Sequence, residues 1–564
     1  MDQTLIRRFP DYPLRREDGS LDCRPLYVIW ETTLRCDQAC RFCGSRAGRP
    51  RVDELTTEEM VDIVSQLAKL GTREIAIHGG EAYLRPDWLE LIRTAAAHGI
   101  ETTMVSGGRG ITPERAREAK AAGLKAISIS IDGLEATHDG LRALRGSHAG
   151  AMAAVRNMQD AGVSVGCNTQ LNHENFRELP ALVDQFCGMG LYGWQVQLMV
   201  PMGRAADCES LWLQPYHLLE LFPLLAEARR QCDKRGLKLW PGDNIGYFGP
   251  FEQLLRAGRS VWAHCSGCGG GLVVMGIESN GDVKGCSAMC SEGFIAGNTR
   301  QTPIEDMWRG APELRFMRDF KLDDLWGFCR TCYYAEQCRA GCIWTGSTLL
   351  GRKGNNPYCH HRALEMLRHG KRERLRLVEA AEGGIRDKGR FEIDVEDAPA
   401  DWLDAMRKLE MGETRLQTAQ RLVRSGELPH AESVLDALVV AEPDNVAALD
   451  LLGYVLFCQR RVDQALAVCR RTLEVSPDHP YALKGQGVCL SQLGFTDDAV
   501  VSLERALTLA PTWFDPYNDL CAAQLKAGRV LDALATVARG EALVEGRAAE
   551  FARLRKAAGE RSLP

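Results

Sequence analysis

At 564 residues the chain is too long for one hydrophobic core and is expected to divide into several domains. Its apolar content of 45% and charged content of 26% suit globular domains rather than disorder. A formal charge of −6 offers no general attraction for phosphate backbones or anionic membrane surfaces, so no nucleic acid and no membrane are expected as partners.

Met1–Pro10 carries charge without the apolar run of a signal sequence, and no apolar stretch elsewhere reaches spanning length. A cytoplasmic location is therefore expected. In that reducing compartment the 21 cysteines read as thiols, many of them metal ligands, rather than structural disulfides.

After an N-terminal extension over 1–24, strand-like runs alternate with helix-like segments across 25–235. The strand-like runs are Leu26–Trp30, Glu74–Ile77, Thr102–Val105, Ala126–Ile131, Val163–Cys167 and Trp194–Leu198. Between them, segments such as Thr57–Leu70 and Pro113–Ala122 repeat apolar residues at helical spacing. Six strands separated by helices predict an α/β parallel sheet curved into a partial (β/α)6 barrel, with chemistry at the C-terminal strand ends.

The stretch 236–368 is dense in cysteine and glycine, and ligand bonds are expected to replace a hydrophobic core there. A charged stretch over 369–412, including His369-Gly370-Lys371-Arg372-Glu373-Arg374, is expected as a solvated helix or linker. From 413 to 545 the chain repeats every 34 residues, at Pro443, Pro477 and Pro511, and at Ala431, Ala465, Ala499 and Ala533. Gly453 and Gly487 keep the same step, as do Gly494 and Gly528, before a tail over 546–564. That period resembles tetratricopeptide repeats, which implies an all-α solenoid with a concave surface for a peptide or partner.

Just after the first strand, Cys36, Cys40 and Cys43 have the spacing C-x3-C-x2-C. Three soft thiolates on one tight loop can hold three corners of an iron–sulfur cubane and leave one iron open. A zinc site or chance spacing is the plainer alternative, but zinc requires a fourth ligand and Gly44–Gly48 supply none of suitable softness. Phe42 before the third cysteine, Gly79-Gly80-Glu81 after the second strand, and Ser130-Ile131-Asp132-Gly133 at the fourth strand complete a pattern that resembles the radical SAM superfamily. Together with His138-Asp139 and Arg142 it resembles the branch that modifies peptides and proteins.

The resemblance implies a cofactor, S-adenosylmethionine, bound at one [4Fe-4S] cluster and cleaved reductively to methionine and a 5′-deoxyadenosyl radical. It implies that Gly79, Gly80 and Glu81 meet the methionine end, that Ser130 and Arg142 meet its carboxylate, and that Asn168 lies near the ribose or substrate. For Ser130, Arg142 and Asn168 an ordinary hydrogen-bonded surface role remains the alternative. Asp132, His138 and Asp139 read as shaping their loop, and no catalytic acid or base is identified.

Cys268, Gly281 and Cys286 read as C-x12-G-x4-C, and Cys329, Cys332, Cys338 and Cys342 as C-x2-C-x5-C-x3-C, with Cys359 beyond. This resembles the SPASM domain, which implies two auxiliary [4Fe-4S] clusters. One would use Cys265, Cys268, Cys286 and Cys342, and the other Cys329, Cys332, Cys338 and Cys359, leaving no open iron. Within the first set Cys265 and Cys290 both stay open, since Cys265 also lies an acceptable distance before Gly281 and Cys290 lies close to Cys286, and a zinc ribbon is the alternative for the second. Cys167, Cys187, Cys208, Cys232, Cys458, Cys469, Cys489 and Cys521 read as small buried apolar residues.

In sulfatase maturases of this branch an aspartate general base follows the cysteine corresponding to Cys286; here Ser287 stands there, which argues against that activity. The expected function is modification of a ribosomally synthesised peptide or protein by crosslink, thioether or a related change. The repeats would dock substrate or leader, since only about 25 residues precede the first strand, and a flavodoxin or ferredoxin would donate electrons. A small metabolite as substrate, or an iron–sulfur scaffold with no catalysis, are the alternatives.

Overall fold

A computed structural model describes residues 14–15, 21–256, 265, 267–332, 334–409 and 414–560. Most of the N-terminal extension, the junction 410–413 and the last four residues of the tail therefore lie outside the described residues. The chain divides into two compact units, Met1–Gly412 and Glu413–Pro564.

The first unit is built on the six expected strands: β1 (Tyr27–Thr33), β2 (Glu74–Gly79), β3 (Glu101–Ser106), β4 (Leu124–Ser130), β5 (Ser164–Leu171) and β6 (Trp194–Leu198). They pair in parallel in sequence order. Alternation explains the curvature: Val28, Trp30, Ile75, Ile77, Ile127 and Ile129 point outward into a continuous core under the helices. The opposite positions, among them Ala76, Ser128, Asn168 and Gln195, line the barrel interior, where bulk would fill the lumen.

The helices follow their local signals. The helix Thr57–Lys69 starts at a reciprocal Thr56/Glu59 capping box and buries Met60, Ile63, Val64 and Leu67 on one stripe. Pro113–Ala122 starts behind the Thr112 cap with proline in its first turn, and ends at Gly123 in the left-handed region.

The sheet does not stop at six strands. β7 (Leu239–Pro241) pairs with β6 in parallel at one edge. At the other edge β8 (Val274–Ile277) pairs in parallel with β1, and β9 (Asp282–Lys284) and β10 (Gly297–Asn298) follow antiparallel, making ten strands. This corrects the expectation that ligand bonds replace a core in the cysteine-rich region. Met275, Ile277, Val283, Met307 and Trp308 are buried in the same core as the barrel.

The charged stretch is also corrected. Instead of a solvated helix or linker, it forms a hairpin of β11 (Lys371–Glu379) and β12 (Arg390–Asp397), followed by the helix Ala400–Lys408. The basic strand faces an acidic one: Lys371 meets Asp397, Arg372 meets Glu396, and Arg376 meets Asp394 and Glu392, at 2.6–2.8 Å. Opposite charges on directly paired positions stabilise a ladder that neither half forms alone.

The second unit is helical, Arg415–Arg424 through Ala548–Glu560. Gly487 lets neighbouring helices touch, since a β-carbon there would stand 2.6 Å from Leu503. Ala431, Ala465, Ala499 and Ala533 are fully buried at equivalent helix contacts. Cys469, Cys489 and Cys521 are buried as expected, but Cys458, at the end of Val446–Cys458, is exposed, which corrects its assignment to the core.

Candidate functional site

The cysteine loop leaves the C-terminal end of β1 and closes on itself: Gly48 N donates to Leu34 O at 2.8 Å and Cys36 N donates to Gly48 O at 3.2 Å. Arginines claim its carbonyls. Arg204 Nε donates to Cys40 O (2.8 Å), Arg204 N to Cys43 O (3.0 Å), and Arg109 Nη1 to Asp37 O (2.6 Å).

The Cys36 thiol is pushed up to about 12, by burial first, then by the Glu81 carboxylate and by Cys40 and Cys43. Cys40 is also raised, by burial and then against the opposing pull of Arg142. Neighbouring thiols, once ionised, raise both, and a metal that replaces the protons removes that cost.

The Gly79-Gly80-Glu81 turn is packed against this loop. A β-carbon on Gly79 would stand 2.2 Å from Thr33 O, and one on Gly80 2.1 Å from Arg35 O. Without side chains, Gly80 N donates to Thr33 O (2.7 Å) and Glu81 N to Arg35 O (2.8 Å). The turn thus seats the start of the cysteine loop, and brings Cys36 Sγ, an Asp37 oxygen and a Glu81 oxygen within 4.8 Å of one another. The Glu81 carboxylate itself accepts from Ser106 Oγ (2.6 Å) and Gly107 N (2.7 Å), and burial raises it to about 7.

Arg142 lies at the site, but its fork is turned on a residue of the chain. Its Nε donates to Asp132 Oδ2 at 3.0 Å, Nη2 donates to the same oxygen, and Nη1 reaches Gln38 Oε1 (3.3 Å) and Cys40 Sγ (3.6 Å). The guanidinium also lies 5.2 Å from the centre of the Phe42 ring. A cofactor carboxylate would have to share this fork with Asp132. Ser130 pairs in register with Asn168, and the Oδ1 of Asn168 is buried without a partner among the described residues. His138 Nδ1 accepts from Asp132 N, and Asp139 accepts from His148 N, so both shape the loop.

The second field of cysteines forms two neighbourhoods. Cys286 is raised by burial, then by Cys268, to about 11, and Cys342 is raised by burial and by both of these. Cys338 and Cys359 are raised by burial and by Cys329 and Cys332. Cys265 acts on Cys338 and packs with Cys359 and Tyr247, so it stands at the border of the two neighbourhoods rather than within the first. The largest charged influences on Cys290 are Lys388, Lys284 and Glu292, not other thiols.

Tyr247, which sequence reasoning missed, stands between the groups: its hydroxyl donates to Asp243 O (2.7 Å) and accepts from Cys342 N (2.9 Å), while its carbonyl accepts from Cys359 Sγ (3.7 Å). Its left-handed backbone, φ 85°, has no motif to announce it.

Between the barrel and the first neighbourhood lies a cavity of about 340 Å³, walled by Tyr27, Asn168, Gln195, Gln197, Asn244 and Trp344 among others, with Cys268, Cys286, Ser287 and Cys342 at its rim. Glu31, Arg51, Glu278, Lys284 and Arg386 form a buried ion-pair network close by. The sequence offered one signal for it, a glutamate at the end of an otherwise apolar strand.

Residues 30–186 match the radical SAM superfamily, 268–333 an iron–sulfur cluster-binding domain, SPASM, and 416–480 and 459–516 tetratricopeptide repeats. The mycofactocin maturase MftC of Mycobacterium ulcerans is 30% identical over 369 residues, 62% of this chain and 93% of that protein. The chain belongs to the radical SAM superfamily. An AdoMet-dependent heme synthase of Nitratidesulfovibrio vulgaris is 28% identical over 377 residues, covering 63% of this radical SAM enzyme and 96% of the relative. Among solved structures, SuiB of Streptococcus suis aligns at a TM-score of 0.47 with 18% identity, over 60% of this chain and 76% of that one.

This radical SAM enzyme uses S-adenosylmethionine and a [4Fe-4S] cluster, and its SPASM domain binds auxiliary iron–sulfur clusters. The donor set fits: three free thiols on one loop, buried or half-buried, have no fourth soft ligand on that loop, and the Asp37 Oδ1 and Gln38 Nε2 beside them are buried without partners among the described residues. No helix among the described residues is long and apolar enough to cross a membrane.

Proposed function

We propose that this enzyme modifies a ribosomally synthesised peptide or protein, introducing a crosslink, thioether or related change. Cys36, Cys40 and Cys43 hold the S-adenosylmethionine cluster. Cys268, Cys286 and Cys342 with Cys265, and Cys329, Cys332, Cys338 and Cys359, hold two auxiliary clusters. When bound, the cofactor and its cluster supply the one-electron chemistry that starts hydrogen abstraction. The chain's own part is to seat the loop through Gly79 and Gly80, to hold Cys40 beside Arg142, and to orient substrate in the cavity.

The wall of that cavity carries the substrate class. It presents amides from Asn168, Gln195 and Gln197, with the Asn244 amide held on the backbone of Leu198, and no lysine or arginine among its described lining residues. Amides complement the peptide group, donor to carbonyl and carbonyl to N–H. A carboxylated macrocycle, the kind of substrate the heme synthase name suggests, would find no lysine or arginine among those lining residues. The maturase relative supports the same reading. Ser287 at the cavity rim, where a sulfatase maturase carries an aspartate base, favours peptide chemistry of another kind.

The tetratricopeptide repeats would dock the precursor or a partner, and a flavodoxin or ferredoxin would supply electrons. Co-expression with a short precursor encoded beside the gene should give a mass change in that peptide, with loss of about two hydrogens for a crosslink. Turnover of an iron tetrapyrrole with no change in any peptide would refute the reading. For the repeats, removal of the segment after Leu409 should weaken peptide affinity; unchanged affinity and turnover would sink that part.

A further inference from the structure

The hairpin β11–β12 lies outside the segments that match the radical SAM, SPASM and tetratricopeptide models, yet its tip reaches the mouth of the barrel. Three successive residues at the tip hold three different parts of the site. Arg386, buried and left-handed at φ 54°, donates from Nε to Glu31 Oε2 at 3.1 Å and from Nη2 to the same oxygen. Its Nη1 donates to the carbonyl of Ser287, directly after Cys286, and its Nε lies 3.5 Å from Glu278 Oε1.

Asp387 accepts from Arg46 Nε at 2.8 Å, in the loop that carries Cys43, and its carbonyl accepts from Gly203 N at 2.8 Å. Lys388 forms an antiparallel bridge with Met202, in the segment after β6.

The network behind Arg386 joins the same parts. Arg51, from the far side of the cysteine loop, spans Glu31 (3.1 Å) and Glu278 (2.7 Å), and Lys284 donates to Glu278 and to Met289 O (2.6 Å). Two carboxylates face three cations, so the cluster keeps one positive charge in excess away from water. Burying that excess is costly unless every fork is used. A decorative hairpin would have no reason to place an arginine there.

We propose that the hairpin tip is a clamp that fixes the S-adenosylmethionine cluster loop against the auxiliary-cluster loop, with Arg386 as a positioning residue for cofactor cleavage. The clamp rests on the assignment of Cys43 and Cys286 as ligands. Full-length protein, reconstituted anaerobically with iron and sulfide, is compared with R386Q, R386K, D387N and the surface control R93Q, on a helix away from the hairpin. Iron per chain, the electron paramagnetic resonance spectrum of the reduced protein before and after S-adenosylmethionine, and the Kd for S-adenosylmethionine are read for each.

R386Q and D387N should keep their iron but bind S-adenosylmethionine about 10- to 100-fold more weakly, the range for misplacement by about 1 Å, with a diminished spectral response to the cofactor. R386K, which keeps the charge and loses the fork, should recover part of the affinity, and R93Q should match the wild type. Wild-type Kd and spectra in both R386Q and D387N would overturn the clamp. If R386Q does not fold, D387N decides, because its partner Arg46 lies outside the buried network. Failure of the ligand assignment shows separately, as unchanged iron in C43A and C286A, and would remove the clamp with it.

Discussion

Replacing Gly80 by alanine tests whether the glycine turn is the seat of the cysteine loop. The new methyl would stand 2.1 Å from Arg35 O and 2.9 Å from Leu34 O, and such contacts do not close below 3.0 Å, so Arg35 must withdraw by roughly 1 Å. That withdrawal breaks the bond from Glu81 N to Arg35 O and strains the one from Gly80 N to Thr33 O. Each such bond is worth about 1 kcal/mol net, and overpacking adds about 1–3 kcal/mol, for a total of about 2–4 kcal/mol. The same displacement, one residue before Cys36, should slow formation of 5′-deoxyadenosine by about 100-fold. The control is Gly140→Ala, inside the helix Glu135–Arg142, where a β-carbon meets nothing within 4 Å and should stabilise by about 0.5–1 kcal/mol. Urea unfolding, iron content and 5′-deoxyadenosine are measured on both. A Gly80→Ala protein equal to Gly140→Ala in all three would refute the seating argument.

Acid stability offers a second test. Burial, and then His173, Arg177 and Arg372, hold the His217 imidazole neutral down to about 3, whereas the unfolded chain takes up a proton near 6.5. The folded value is the lower one, so this stability is complete above pH 6.5 and falls as pH drops toward 3, by up to about 1.4 kcal/mol per unit. His217→Asn should flatten the loss between pH 7 and 5 in urea unfolding, and an unchanged pH slope would contradict the assignment. In the repeats, Gly487→Val would drive a β-carbon to 2.6 Å from Leu503 and 3.1 Å from Ala499 O, costing about 1–3 kcal/mol. Circular dichroism should show early loss of helix while cofactor cleavage without peptide is kept; a thermally unaltered variant would deny the close helix approach.

Much of the site was legible because its chemistry is local. The spacing of Cys36, Cys40 and Cys43 and the adjacent Gly79-Gly80 could be read from the chain, since a tight loop and a close backbone approach each restrict residue type within a few positions. The six strands could be read for the same reason, from alternation along short runs. Arg142 was read as a contact for the cofactor carboxylate, but its partner in the fold was not legible: Asp132 lies ten positions away, and only the folded loop turns that carboxylate onto the guanidinium.

The hairpin shows where local reading ends. Lys371–Arg376 looked like a solvated charged segment because its acidic complement, Glu392 to Asp397, sits some twenty residues on, and cross-strand pairing has no local signature. Arg386, Glu31 and Glu278 are scattered across more than three hundred residues and become a single buried network only in three dimensions. The sequence by itself determined the three-cysteine loop after the first strand, the parallel strands and the 34-residue repeat, all of which follow from short-range spacing. Tertiary structure alone decided how the sheet extends at both edges, what Arg142 holds, and which residues the hairpin tip docks against, because buried charges are positioned by partners that are remote along the chain.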